Sequence, residues 1–278
     1  MEERILFEKF VFNDEKAIFI NEIEFCIDRI IFLPQIRPHK LEKAVKLSEE
    51  YCQISDFRRK MLEKSIECPF LIYRLYKKGF FKFYELDPFL MRRDSFLLCY
   101  YFRKEIDDFN SIIQCKEPPN VIDKSFLENE NEIDQLIEFG FYPSSVEYCL
   151  KYDFIDDFSD LNIKNQEAKW SPFEWSKKPK YLDLLSFSGY FGSVKCFKHL
   201  LMRGFEINNQ VLSMVVCSGS FDLYHLCKGP GSLSSDCLCM SSEFFHLSLL
   251  AFMIENGADI NGKDNSFELN CLIKLLFI

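Results

Sequence analysis

The sequence predicts an all-α chain, a helix-pair solenoid preceded by a helical cap region. Three observations predict it. Apolar residues recur at steps of three and four, with no alternating strand pattern bounded by hairpin signals. Glycine closes several of these helical stretches, and five segments align without gaps on shared apolar offsets. At 278 residues the chain is long for one core, and an array escapes that limit because each unit contacts only its neighbours.

Residues 1–90 make the N-terminal helical region. The stretches "DEKAIFINEIEFCIDRIIFL", "KLEKAVKLSEEYC" and "DFRRKMLEKSIE" carry helical patterns, broken by Pro34, Pro38 and Pro69. They are expected to cap the first unit of an array spanning 91–278, whose pattern is clearest over 140–262.

The stop signals come next. "FLIYRLYKKGFF" ends on Gly79, "IDQLIEFGFY" on Gly140, "KCFKHLLMRGFEIN" on Gly204 and "AFMIENGADINGKD" on Gly257. Glycine lacks Cβ and takes positive φ without a clash, which suits it to end a helix. Phe80, Phe141 and Phe205 follow three of the four and are placed to pack on the last helical turn. Lys77, Lys78 and Arg203 favour the negative end of the helix dipole.

The five segments begin at Ser95, Ser144, Asp183, Gln210 and Asp236. Two residues on stand Leu97, Val146, Leu185, Leu212 and Leu238; eleven on, Ile106, Ile155, Val194, Phe221 and Leu247. Fourteen on stand Phe109, Phe158, Phe197, Tyr224 and Leu250; seventeen on, Ile112, Leu161, Leu200, Cys227 and Met253. Twenty-one on, Gly204, Gly231 and Gly257 close the last three, and Asn165 follows Ser144 at that distance. Each unit reads as a capped short helix, a tight turn, a second helix with an apolar stripe, and a stop. Ser and Asp suit the starts because their oxygens accept from first-turn amides. "SSVE" at 144–147 adds a glutamate in capping-box position, and "SPFE" at 171–174 does the same with proline at the first helical position. A sixth, weaker copy from Pro119 has Val121, Ile133, Leu136 and Gly140 in register, with Glu130 breaking the pattern.

"GYFGSVKCFKHLLMRGFEIN" and "FFHLSLLAFMIENGADIN" resemble the second helix and exit turn of ankyrin repeats, and "GADINGKD" is similar to that exit residue for residue. The first helices depart from the family's Thr-Pro-Leu-His, reading Asp183-Leu184-Leu185-Ser186 and Asp236-Cys237-Leu238-Cys239. "SSVEYCLKYD" with "SPFEWSKKPKYLDLLSFSGYFGSVKCFKHLL" is similar to divergent ankyrin proteins that carry an N-terminal domain of unknown function, abundant in anaerobic flagellate protists. The resemblance implies an ankyrin-like array that binds an unidentified protein partner.

Other classes find little support. "MEERILFEKF" is not a secretory leader, and no apolar run reaches the roughly eighteen residues that span a bilayer. The expected setting is therefore the cytoplasm, with no membrane and with twelve cysteines as reduced thiols. Lys plus Arg number 34 against 43 Asp plus Glu, a formal charge of −9 that opposes nucleic-acid binding. The doublets Arg58/Arg59 and Arg92/Arg93 read as helix surface. His225, Cys227, Cys237 and Cys239 lie close in sequence but lack Cys-x-x-Cys spacing, and Cys227 falls on the apolar stripe, so packing is preferred to a metal site. His39, His199, His225 and His246 share no offset, and His246 is expected to bond nearby backbone. Asp107/Asp108 and Asp156/Asp157 point about 100° apart on a helix. Phosphate-loop motifs are absent from the sequence. No catalytic residue, metal or cofactor is expected, and metal binding or an enzymatic role stand as minor alternatives.

Partner contacts are expected at the exit turns and the first-helix faces of the concave side, through Glu206, Asn208 and Asn209 after Gly204, and Asp259, Asn261, Lys263 and Asp264 after Gly257. The competing reading is that turn Asp and Asn bond their own backbone. A second expectation starts from the tail "NSFELNCLIKLLFI", seven of whose last eight residues are apolar. On that view the array is cut short, its missing C-terminal repeats carried the binding, and the tail folds back over Leu249 and Met253.

Overall fold

The structure, a computed structural model, describes residues 23–37, 40–54, 56–66, 68–116, 127, 130–143, 145–160, 167–174, 182–228 and 234–258. Among these, sixteen helices and two two-residue strands form, so the chain is predominantly helical. The described residues gather into two compact units, one holding those between 23 and 141 with 171–174, the other those of 142–170 and 182–258.

The first unit opens with α1 (Ile23–Ile36), α2 (Leu41–Tyr51), α3 (Phe57–Ser65) and α4 (Pro69–Lys77). α1 packs on α2 and α3, and α4 on α2 and α3. Their apolar faces meet in a core that fully buries Ile27, Ile30, Phe57, Met61, Leu71 and Leu75. Each such side chain contributes roughly 1.5–3 kcal/mol. Lys60 and Lys64, four apart, pair with Glu24 at 3.0 Å and Asp28 at 2.7 Å, fixing α3 along α1. Pro69 separates α3 from α4 and opens the latter, but Pro34 lies inside the last turn of α1 rather than breaking it. There the helix loses only one terminal hydrogen bond. The unit continues through α5 (Phe83–Leu90), α6 (Phe96–Tyr101), α7 (Phe109–Gln114) and α8 (Glu130–Phe139). Arg74 of α4 reaches Glu138 of α8 at 2.8 Å.

The second unit is built of helix pairs. They are α9 (Val146–Tyr152) with α10 (Ile155–Asp160), α11 (Leu184–Phe191) with α12 (Val194–Met202), α13 (Asn209–Ser218) with α14 (Phe221–Leu226), and α15 (Ser235–Glu243) with α16 (Leu247–Glu255). The first helices pack in chain order, α9 on α11, α11 on α13 and α13 on α15, and each also packs on its own second helix. The α11–α13 contact is the most extensive. A Cβ on Gly189 would stand 3.0 Å from Val215 Cγ2, so the absence of a side chain permits the approach. β1 (Glu167–Ala168) pairs antiparallel with β2 (Leu182–Asp183), short strands below the length of any sequence pattern, and Trp170 then lays its ring 4.8 Å from that of Phe187 on α11.

Several local expectations shift. The Ser95 segment begins as read, with α6 following Ser95, but its second helix starts at Phe109, three residues beyond the shared offset, and Phe109 and Ile112 are only half-buried. The offset-eleven residues Ile155, Val194 and Leu247 are half-buried and Phe221 is exposed, because each is the first residue of its helix. Ser145 caps α9, accepting from Tyr148 N, which leaves Glu147 one place too early for a capping box; its carboxylate accepts from Lys169 N instead. Gln210 and Asp236 lie inside helices capped by Asn208 and Ser234. "SPFE" makes a turn in which Ser171 Oγ accepts from Phe173 N. Pro119, Val121, Leu161, Asn165, Gly231, His39 and the C-terminal tail lie outside the described residues.

Candidate functional site

The expected binding surface is made by turns, so the backbone that sets them comes first. Gly79, Gly140, Gly204 and Gly257 all adopt positive φ, between 76° and 92°. Phe80 N bonds to Leu75 O, Phe205 N to Leu200 O and Ala258 N to Met253 O, the six-to-one bond that closes a helix around a left-handed residue.

A second row of left-handed residues lies within the pairs. Asp153 (φ 57°), Gly192 (φ 74°), Gly219 (φ 70°) and Phe245 (φ 55°) each stand nine residues beyond their segment's start. Two of them are not glycine, so glycine stops alone do not mark the row. Each turn is tied to a neighbouring pair. The Asp153 carboxylate accepts from Cys196 N at 2.9 Å and Lys195 N at 3.2 Å, capping α12 from the preceding pair. Ser193 Oγ donates to Leu150 O. His246 Nε2 sits 2.7 Å from Cys217 O, a backbone bond of the kind expected for this histidine. A carbonyl only accepts, so this nitrogen carries the proton.

Of the residues expected to bind a partner, Glu206 and Asn208 lie in the exposed exit turn after Gly204, and Asn209, also exposed, opens α13. Asn208 is committed to the fold, since its side chain accepts from Val211 N at 2.9 Å as the cap of α13. Glu206 and Asn209 present their side chains to solvent. Asp259, Asn261, Lys263 and Asp264 lie outside the described residues. The first-helix faces are largely closed: α11 buries every residue from Leu184 to Tyr190, and α13 buries Val211, Leu212 and Met214–Cys217. The open apolar surface comes from the end of the second helix, where Met202 is 80% exposed, and from the exit turn itself, where Ile207 is 40% exposed. Neither is legible in the sequence, since a lone apolar residue next to a glycine stop carries no signal of its own.

The chemistry of the surrounding groups is quiet. Burial pushes the Cys196 thiol up to about 12, with the Asp153 carboxylate adding to it, and burial alone takes Cys227 to about 11. Such thiols stay protonated and unreactive at neutral pH. His225 is exposed while Cys227 and Cys237 are buried, and among the described residues no group of three His, Cys, Asp or Glu side chains is placed to hold a metal. Asp108 caps α7, whereas Asp156 and Asp157 face solvent in the first turn of α10. Arg58 and Arg59 lie on α3 and meet Glu85 at 2.5 Å and Glu63 at 3.1 Å, whereas Arg92 and Arg93 fall in the turn between α5 and α6 rather than on a helix, with Arg92 2.7 Å from Asp94. No helix among the described residues is long and apolar enough to cross a membrane. No protein-family model, curated protein or solved structure matches this chain.

Proposed function

We propose that this chain is a non-catalytic protein–protein interaction scaffold, an ankyrin-like helix-pair solenoid that engages a partner protein through its exit turns. One observation carries the reading: the first helices α9, α11, α13 and α15 pack in chain order, each pair turned by a left-handed residue at the same offset. Stacks of this kind hold their turns as a rigid row, and a rigid row lowers the ordering cost of binding. The burial of α11 and α13 narrows the surface to the exit turn and adjoining second helix, where Glu206, Asn209, Met202 and Ile207 combine exposed polar and apolar groups. Free cysteines fit a cytoplasmic setting.

The test is affinity capture from the native cell, comparing the wild-type chain with a Glu206→Lys/Asn209→Lys/Met202→Asp variant of unchanged circular dichroism. A protein held by the wild type and lost by the variant supports the reading. Equal retention by both removes the exit turn as the binding surface, and no specific retention by either removes the scaffold.

A further inference from the structure

Helix α5 is apolar on two sides and covered on one. Its inner side buries Leu86 and Leu90, and its start is held by Glu85, whose carboxylate accepts from Lys82 N at 2.6 Å and meets Arg58 at 2.5 Å. Its outer side carries Tyr84, Pro88 and Met91 at steps of four and three, one line about 10 Å long. All three are exposed, Tyr84 at 71% and Met91 at 64%. A helix apolar all round is normally buried, and an exposed apolar line marks a surface that meets protein or membrane. The hydrogen bonds, ion pairs and ring contacts of residues 76–95 are all with other described residues.

The ends of the line are basic. Lys78 and Lys82 precede it and Arg93 follows it, all exposed and without an ion pair, while Arg92 is matched by Asp94 at 2.7 Å. Residues 77–94 hold five Lys and Arg against three Asp and Glu, in a chain whose formal charge is −9. Asp87 stands on the flank of the line, about 60° round the helix from Tyr84, where it stays in water when the line is covered.

Area decides what covers the line. A stable protein interface buries roughly 800 Å² on each partner, more than one tyrosine, one proline and one methionine can offer. A second copy would set cationic ends against each other in either orientation. A lipid surface asks less, a few apolar side chains at headgroup depth and Lys or Arg beside anionic headgroups.

We propose that α5 docks on an anionic lipid surface, lying in its plane with Tyr84 and Met91 at headgroup depth and Lys78, Lys82 and Arg93 on the acidic headgroups. The inference concerns the first unit and does not rest on the scaffold reading.

Flotation of the full chain with phosphatidylcholine vesicles, with and without phosphatidylserine, tests it. The chain is expected to float with phosphatidylserine and to bind about tenfold or more weakly without it. Tyr84→Ser/Met91→Ser is expected to weaken that binding about tenfold, and Lys82→Glu/Arg93→Glu to bring it down to the phosphatidylcholine level. Lys195→Glu/Lys198→Glu makes the same change of net charge at two exposed positions of α12 and should float as the wild type does. Tyr84→Trp should show a blue shift of emission, relative to the wild type, with phosphatidylserine vesicles. Equal flotation without phosphatidylserine, undiminished binding by either α5 double variant, an equal loss in the α12 variant, or no blue shift would each overturn the proposal. No flotation at all would also overturn it and leave the face to an acidic protein.

Discussion

The imidazole of His246 occupies the space where a side chain on Gly219 would begin. A Cβ there would stand 2.1 Å from its Nδ1 and 2.3 Å from its Cε1, while Nε2 reaches Cys217 O at 2.7 Å. One residue without a side chain thus admits the ring that ties the α15–α16 pair to α13.

Gly219→Ala should therefore be costly for two reasons, the left-handed backbone and the collision. Gly204 shares the positive φ but has open space around it, so Gly204→Ala isolates the backbone term, about 1–2 kcal/mol, and Gly204→Val should cost at least as much. Urea denaturation should show Gly219→Ala losing more than Gly204→Ala. In a His246→Ala background the excess should vanish, and an unchanged excess would show that the ring is not the obstacle.

Asp153 is expected to act through α12 rather than through its own helix. Asp153→Ala loses both a residue tolerant of positive φ and the acceptor of two amides, for about 1–2 kcal/mol. Asp153→Gly keeps the turn and loses only the acceptor, so it should retain part of the stability, and amide exchange at Lys195 and Cys196 should rise in both variants. Unaltered exchange there would contradict the capping role.

Stability should fall in alkali. The Cys196 and Cys227 thiols stand at about 12 and 11 in the folded chain against an ordinary 9, because burial penalises the thiolate. A raised folded value stabilises fully below the unfolded pKa and is lost as pH rises through the folded one. The urea midpoint should therefore decline from about pH 9 towards 12. The decline should be shallower in Cys196→Ala/Cys227→Ala, and an identical slope would exclude these thiols as its cause.

Lys116 is nearly buried, and its ammonium donates to Leu90 O at 2.6 Å and Arg92 O at 2.7 Å, beyond the end of α5. Lys116→Met keeps the stem and strips the donors from those carbonyls, an expected loss of about 1–3 kcal/mol. The Ser95 hydroxyl, 2.9 and 2.7 Å from the same oxygens, has one hydrogen and can satisfy only one of them, so an unchanged urea midpoint would mean that the Lys116 bonds add nothing to stability.

The parts legible in the sequence are those fixed by one residue's own geometry. Positive φ at Gly79, Gly140, Gly204 and Gly257 follows from glycine's freedom, and burial of Phe158, Phe197, Tyr224 and Leu250 follows from stripe position. Features that depend on a partner elsewhere were hidden. Asp153 and Phe245 hold left-handed backbone without being glycine, because packing and distant hydrogen bonds compensate for it. Asn208 shows the same limit at the candidate site: its type suits both a binding surface and a cap, and only the 2.9 Å bond from Val211 N decides that it caps. Phe221 was misread for the opposite reason, since an apolar residue at a shared offset need not face inward when it opens a helix.

Gly189 sets a limit on how the pairs of the second unit can be exchanged. The residue in its place is Leu150 in the α9 segment, Val216 in the α13 segment and Ser242 in the α15 segment, none of which would fit 3.0 Å from Val215 without movement. The shared stripe makes these segments look like copies, yet inserting a second copy of 210–226 in place of 183–199 would drive an isopropyl group into the close contact between α11 and α13. Gly189 thus reserves the berth beside α13 for the α11 pair, because the other segments carry a side chain at that place.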